Sequence, residues 1–152
     1  MCIRDRSKQQ DFASQFDFYP EEKRKALFDT LIQAQEMCIR DRAGICRYGF
    51  FVLPMDEALI LTAVDISGRE CLVYDADIPA AKVGDFDTEL VKEFLLAFTR
   101  NLGASVHVRQ LSGENSHHII EGMFKSLARS LRAAVSIEKG YEDEIPSTKG
   151  VI

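Results

Sequence analysis

This chain has no long apolar run, no CxxC pair, no excess of positive charge and only three histidines. Each shortage excludes something. No stretch approaches the ~20 apolar residues that a membrane-spanning helix requires, and charges stand where a signal peptide would carry its apolar centre. A cytoplasmic protein with no membrane partner is therefore expected. The four cysteines, Cys2, Cys38, Cys46 and Cys71, lack both metal-ribbon spacing and the density of a disulfide scaffold, so they read as reduced thiols. A net charge of -5 opposes a general nucleic-acid surface, which must neutralise phosphates. That acidic excess lies in residues 43 to 152, because residues 1 to 42 hold eight Lys/Arg against eight Asp/Glu. What remains is a chain of 152 residues, 46% hydrophobic and 28% charged, which is long enough for one domain with its own core.

The hexapeptide MCIRDR occurs twice, at Met1–Arg6 and Met37–Arg42. A repeat architecture would echo its apolar positions after each copy, yet SKQQDFASQFDFYP and AGICRYGFFVLPMD share no such pattern. Back-translated as ATG TGT ATA AGA GAC AGR, the hexapeptide resembles the mosaic end of a transposase adapter used in sequencing libraries. Residues 1 to 42 are therefore expected to be a non-native segment. Within it PEEKRKALFDTLIQAQE has a helical pattern, with Pro20 in the first turn, Glu21 and Glu22 after it, and Ala26, Leu27, Leu31 and Ala34 at helical spacing.

From Ala43 onward the pattern is coherent. ALILTAVDI (58 to 66) and ECLVYDA (70 to 76) are β-rich runs joined through Ser67, Gly68 and Arg69, which predicts a hairpin. GDFDTELVKEFLLAFTRNLG predicts an amphipathic helix: Asp85 or Asp87 is the N-cap candidate, Leu90, Val91, Phe94, Leu95 and Phe98 share a face, and Gly103 lies beyond the end. Asp56 and Glu57 in PMDEAL read either as polar groups leading into a strand or as aids to placing a substrate or an arginine. EKGYEDE (138 to 144) reads as an acidic, mobile connector without a catalytic role.

All three histidines fall in HVRQLSGENSHHIIEGMFK, residues 107 to 125. Strand alternation in SVHVRQ puts Val106 and Val108 on one side and His107 and Arg109 on the other. A helix then starts with Asn115 or Ser116 as N-cap, and Ile120, Met123, Phe124, Leu127, Leu131 and Ala134 form its apolar stripe. Along its side His117, Glu121 and Lys125 follow at spacing four, with His118 three residues before Glu121. Adjacent histidines on a helix diverge by about 100°, so each can reach a different metal ion more easily than both can reach one. Glu121 can coordinate metal or orient an imidazole. The same residues also read as two solvated first-turn histidines and a satisfied sheet histidine; their concentration in one strand-turn-helix unit favours ligation.

The segments GICRYG, LPMDEAL, VDISGR, GDFDTELVKEF, HVRQLSGENSHHIIEGMFKSLARSLRAA and IPSTKGVI, collinear over residues 43 to 152, closely resemble the C-terminal part of imidazoleglycerol-phosphate dehydratase, an enzyme of histidine biosynthesis. The resemblance implies an α+β fold, a ββαβα unit similar to domain 2 of a small-subunit ribosomal protein, here preceded by an unrelated helical segment. It implies His107, His117, His118 and Glu121 as metal ligands, with His118 and Glu121 also catalytic. Two Mn2+ ions are implied per complete site; softness rules alone would permit zinc, iron or nickel. Arg47, Arg109, Lys125, Ser147, Thr148 and Lys149 are implied as substrate-binding residues, since guanidinium forks and the STK hydroxyls and ammonium suit a phosphate. The implied substrate is a phosphorylated imidazole diol that loses water, and the implied partner is a homo-oligomer, a large shell with sites between subunits.

The sequence departs from the family where a first half, with its own histidine pair and glutamate, would precede AGICRYG. An incomplete ligand set and an inactive chain are therefore expected. Cys46 also stands where relatives tend to carry a basic or polar residue. A non-catalytic binding module of the ribosomal-protein-like fold is the alternative, opposed by the acidic charge and the lack of basic-aromatic patches.

Overall fold

The computed structural model describes residues 43–141, Glu144 and Pro146. The helix expected within residues 1 to 42, the non-native reading of that segment, and Ser147, Thr148 and Lys149 lie outside the described residues. The elements are β1 (Tyr48–Met55), β2 (Ala58–Asp65), β3 (Cys71–Asp75), a short ribbon of β4 (Lys82–Val83) and β5 (Phe86–Asp87), α1 (Glu89–Leu102), β6 (Ser105–Ser112) and α2 (Ser116–Ala134). This is a mixed α+β arrangement with both helices on one side of a four-stranded sheet.

Strand order is β1-β2-β6-β3, with β1–β2 and β2–β6 antiparallel and β3–β6 parallel. The predicted hairpin between 58–66 and 70–76 therefore does not form: β6 lies between those runs. Local turn chemistry at Ser67-Gly68-Arg69 is compatible with either outcome, but burial is not. Val106 and Val108 are fully buried and need neighbours on both sides, which only the central position supplies. The hairpin that does form joins β1 to β2 through Asp56-Glu57, with Asp56 at φ 50 to close the turn.

Period-two alternation sends Ala58, Ile60, Thr62 and Val64 of β2 inward beneath the helices. They meet the stripe foreseen on α2, where Ile120, Met123, Phe124, Leu127, Leu131 and Ala134 are all buried. α1 contributes Val91, Leu95 and Phe98, and ends at Gly103 in the left-handed conformation as expected. Its N-cap is Thr88 rather than Asp85 or Asp87; Asp87 is held in the β4–β5 ribbon, and the Thr88 hydroxyl donates to the Ala80 carbonyl at 2.7 Å. β1 and α2 approach closely because Gly49 faces the helix: a Cβ there would lie 1.9 Å from the Ser130 carbonyl oxygen. Beside it Ser126 and Ser130 bond the Thr62 hydroxyl and carbonyl at 2.6 and 2.8 Å, so the buried hydroxyls are satisfied.

The opposite face of the sheet has no helix over it among the described residues. Phe50, 74% exposed, lies in register with Ala63, which pairs with His107. No described helix is long and apolar enough to cross a membrane. The connector after α2 is tied at several points: Ile137 bridges to Ile45, Glu138 N–H donates to Gly44, and Gly44 N–H donates to the Glu144 carbonyl at 2.7 Å.

Candidate active site

The β1–β2 turn and the start of α2 meet at one edge of the molecule. Asn115 caps α2, its side-chain oxygen accepting from the backbone N–H of His117 at 2.9 Å and of His118 at 3.4 Å. Glu57 fastens the turn to this cap: its Oε1 accepts from Asn115 N–H at 2.9 Å, and its carbonyl accepts from the Ser112 hydroxyl at 3.0 Å. The second carboxylate oxygen, Oε2, lies 2.7 Å from His118 Nδ1, and Asp56 Oδ2 lies 3.4 Å from His118 Nε2. The hydrogen bond from His118, then that from Asn115 N–H, draws the Glu57 carboxyl down to about 2, while the same contact pushes His118 upward.

On the neighbouring side of the helix His117 Nε2 lies 3.3 Å from Glu121 Oε2, and Lys125 Nζ lies 2.7 Å from Glu121 Oε1. The two imidazoles diverge as the helix geometry requires, their ring centroids 6.0 Å apart and their planes at 67°. Glu121 therefore belongs with His117, and His118 with the Asp56-Glu57 turn.

The remaining sequence-derived residues lie elsewhere. His107 and Arg109 project together, as alternation predicts, but from the sheet face opposite the helices. His107 is thus on the other side of the sheet from His117, His118 and Glu121. Among the described residues no three His, Cys, Asp or Glu side chains converge on one point where a metal ion could sit. Arg109 is exposed and forks onto Asp75 at 2.8 and 3.0 Å.

Arg47 sits at the far end of the β1–β2 ladder from the Asp56-Glu57 turn. It adopts φ 66, its backbone N–H donates to the Ala134 carbonyl, and its guanidinium grips both oxygens of Asp65 at 2.7 and 3.2 Å. The Asp65 hydrogen bond raises the guanidinium's pKa, so the group is held as a cation. A third N–H reaches the Pro146 carbonyl at 3.1 Å, which brings the residue just before Ser147 to this end of the sheet. Cys46, next to it, is a free thiol 3.2 Å from the Ser136 hydroxyl.

Two partners escaped sequence reasoning. Glu57 was legible only as one of two acidic residues before a strand, and nothing linked it to His118. Asp65 was hidden because its pairing with Tyr48 depends on the β1–β2 register.

A family model described as imidazoleglycerol-phosphate dehydratase matches residues 29–131, beginning upstream of Ala43. The chain is 56% identical over 123 residues to imidazoleglycerol-phosphate dehydratase of Desulforamulus reducens, covering 81% of this chain and 62% of that protein. Against the enzyme of Synechococcus sp. (strain WH7803) it is 51% identical over 120 residues, covering 79% and 59%. The chain thus spans about six tenths of the length of the curated relatives it matches. Among solved structures it resembles the Staphylococcus aureus enzyme with a TM-score of 0.67 at 39% identity, covering 74% of this chain and 68% of that one. The Pyrococcus furiosus enzyme, solved in complex with (S)-C348, also gives a TM-score of 0.67, at 36% identity over 88% of this chain and 73% of that one.

Proposed function

Because the chain belongs to the imidazoleglycerol-phosphate dehydratase family, we propose that it supplies part of a metal-dependent hydro-lyase site that removes water from imidazole glycerol phosphate to give imidazole acetol phosphate. The observation that carries this reading is the edge of α2, where His117 and Glu121 stand together and His118 is braced by a carboxylate. Imidazole nitrogens beside carboxylate oxygens suit a divalent first-row ion. His117 with Glu121 would contribute to holding one manganese ion there and His118 to holding another, and His107, on the other sheet face, would serve a different position in the assembly. When bound, the metal supplies Lewis-acid stabilisation and a template for the substrate imidazole.

The chain's own groups do the rest. Lys125 holds one oxygen of Glu121 and leaves the other toward His117, which fixes the carboxylate plane. Arg47, whose guanidinium reaches the Pro146 carbonyl, marks the phosphate-holding end; Arg109 is a further guanidinium for that role, and Ser147, Thr148 and Lys149 take it by family resemblance. These two ends are far apart. The β1–β2 ladder runs from Tyr48↔Asp65 to Met55↔Ala58, about 24 Å at ~3.4 Å per residue. No small phosphorylated imidazole spans that distance, so a working site joins the α2 edge of one copy to the Arg47 end of another. A cytoplasmic homo-oligomer, with further ligands from a first half like that of relatives, is the assembly this reading requires.

Dehydratase turnover with added manganese tests it. The 152-residue chain should be inactive, and a chain carrying a relative's first half in place of residues 1 to 42 should turn over substrate. In that graft His118→Ala or chelation should abolish activity. Unchanged turnover after either would remove the metal-site reading, and robust turnover by the chain alone would remove the divided-site reading.

A further inference from the structure

The β1–β2 turn does more than close a hairpin. Glu57 uses both carboxylate oxygens: Oε1 accepts from the N–H groups of Asn115 and Glu114 at 2.9 and 3.4 Å, and Oε2 meets His118 Nδ1 at 2.7 Å. The backbone bonds fix where the carboxylate sits, so its contact with the imidazole is set by the fold rather than by a swinging side chain. An ionised carboxylate can only accept a hydrogen bond, so Nδ1 must carry the proton in this contact. Among the described residues the ring's other nitrogen, Nε2, faces Asp56 Oδ2 at the longer distance of 3.4 Å. We infer that Glu57 is a positioning residue: it fixes His118 as the Nδ1–H tautomer and so presents the Nε2 lone pair, at the edge of α2, to a divalent metal ion. The inference rests on the reading that His118 is a metal ligand. It assigns Glu57 the outer-shell role that carboxylates take behind metal-bound imidazoles, where their loss weakens metal binding roughly 10- to 100-fold.

Glu57→Gln gives a demanding test because it keeps the side chain's length. Its single carbonyl oxygen can continue to serve the Asn115 N–H. The amide N–H then faces His118 Nδ1, which must accept, and the ring proton moves to Nε2, the nitrogen the metal needs. In the metal-free 152-residue chain, long-range 1H–15N spectra at a pH where the ring is neutral should report His118 as Nδ1–H in the parent and Nε2–H in Glu57→Gln. In the chain carrying a relative's first half in place of residues 1 to 42, manganese titration followed by electron paramagnetic resonance should show roughly 10- to 100-fold weaker binding in Glu57→Gln, and at least as large a loss in His118→Ala. An unchanged backbone amide spectrum in Glu57→Gln separates this from a lost cap, since a Glu57 that only caps the helix would leave the tautomer as it was. An unchanged tautomer, or parental manganese affinity in Glu57→Gln alongside weakened binding in His118→Ala, overturns the role of Glu57 alone. Parental affinity in His118→Ala, or no manganese binding by the graft itself, overturns the metal-ligand reading and the positioning role with it.

Discussion

At one end of the β1–β2 ladder Asp65 grips the guanidinium of Arg47, the two side chains 27% and 16% exposed; at the other, Glu57 grips His118 with its own side chain 44% exposed. Both contacts are carboxylates holding nitrogen bases; Glu57 attaches the hairpin to α2, while Asp65 steadies Arg47, whose own N–H groups reach the Ala134 and Pro146 carbonyls. The carboxylates separate them more than the bases do: Glu57 is 44% exposed against 27% for Asp65, while His118 is 25% exposed against 16% for Arg47. A partly buried pair cannot be broken without leaving a desolvated charge, so Arg47 and Asp65 secure the fold. A pair whose carboxylate is exposed contributes less to stability and can exchange partners, which suits the ligand role proposed for His118.

The comparison breaks most visibly at Gly49, beside Arg47. Gly49→Ala would push a methyl group into the Ser130 carbonyl and Ala134 N–H, backbone atoms that move only if α2 moves. The expected loss is about 3 kcal/mol or more in urea unfolding, above the usual cost of overpacking. A change under about 1 kcal/mol would show that the sheet and helix separate freely at this end. Asp65→Ala should come next, with about 2 kcal/mol lost, because Arg47 keeps its charge in a partly buried place. Arg109→Ala is the control on the open face: its pair with Asp75 is 61% and 62% exposed, and the urea midpoint should move by less than about 0.5 kcal/mol equivalent.

The smallest effect sharpens the exposed end. Glu57 is drawn from 4.5 to about 2, so its contribution is present above pH 4.5 and is lost as pH falls through about 2. His118 is raised above 6.5, so its contribution is present below 6.5 and is lost as pH rises through the raised value. In the metal-free chain the contact is therefore strongest between pH 4.5 and 6.5. The urea midpoint of the parent minus that of His118→Ala should peak in this window and decline on both sides. A difference that is flat with pH would show that the two groups do not interact in solution. The Arg47 end should show no decline toward pH 8, since its guanidinium stays charged.

Much of the helical structure was legible in the sequence, because capping and periodicity are local. Asn115 and Gly103 announce helix ends by their own chemistry, and the stripe from Ile120 to Ala134 is buried as spacing demands. Strand partners were not legible. The β1 run Tyr48–Met55 alternates poorly, since aromatic and aliphatic residues occupy both faces, and it drew no assignment; without β1 neither the Asp56-Glu57 turn nor the Asp65 fork could be foreseen. In the candidate site, the grouping of His117 with Glu121 and Lys125 came from helix spacing. His107 was grouped with them because its strand precedes α2 in the chain, and the sheet, one layer thick, puts it on the other side.

The place of β6 has a consequence for how the molecule comes into being. It enters the sheet between two strands made before it, pairing with β2 on one edge and in parallel with β3 on the other. During synthesis the inner edges of β2 and β3 wait open until Ser112 has left the ribosome, and each is then closed by a partner distant in sequence. Such non-local closure folds slowly and leaves unpaired strand edges exposed to other nascent chains. A strand that finishes the sheet from within thus makes the chain most vulnerable to misassociation during translation, before His118 has met its carboxylate.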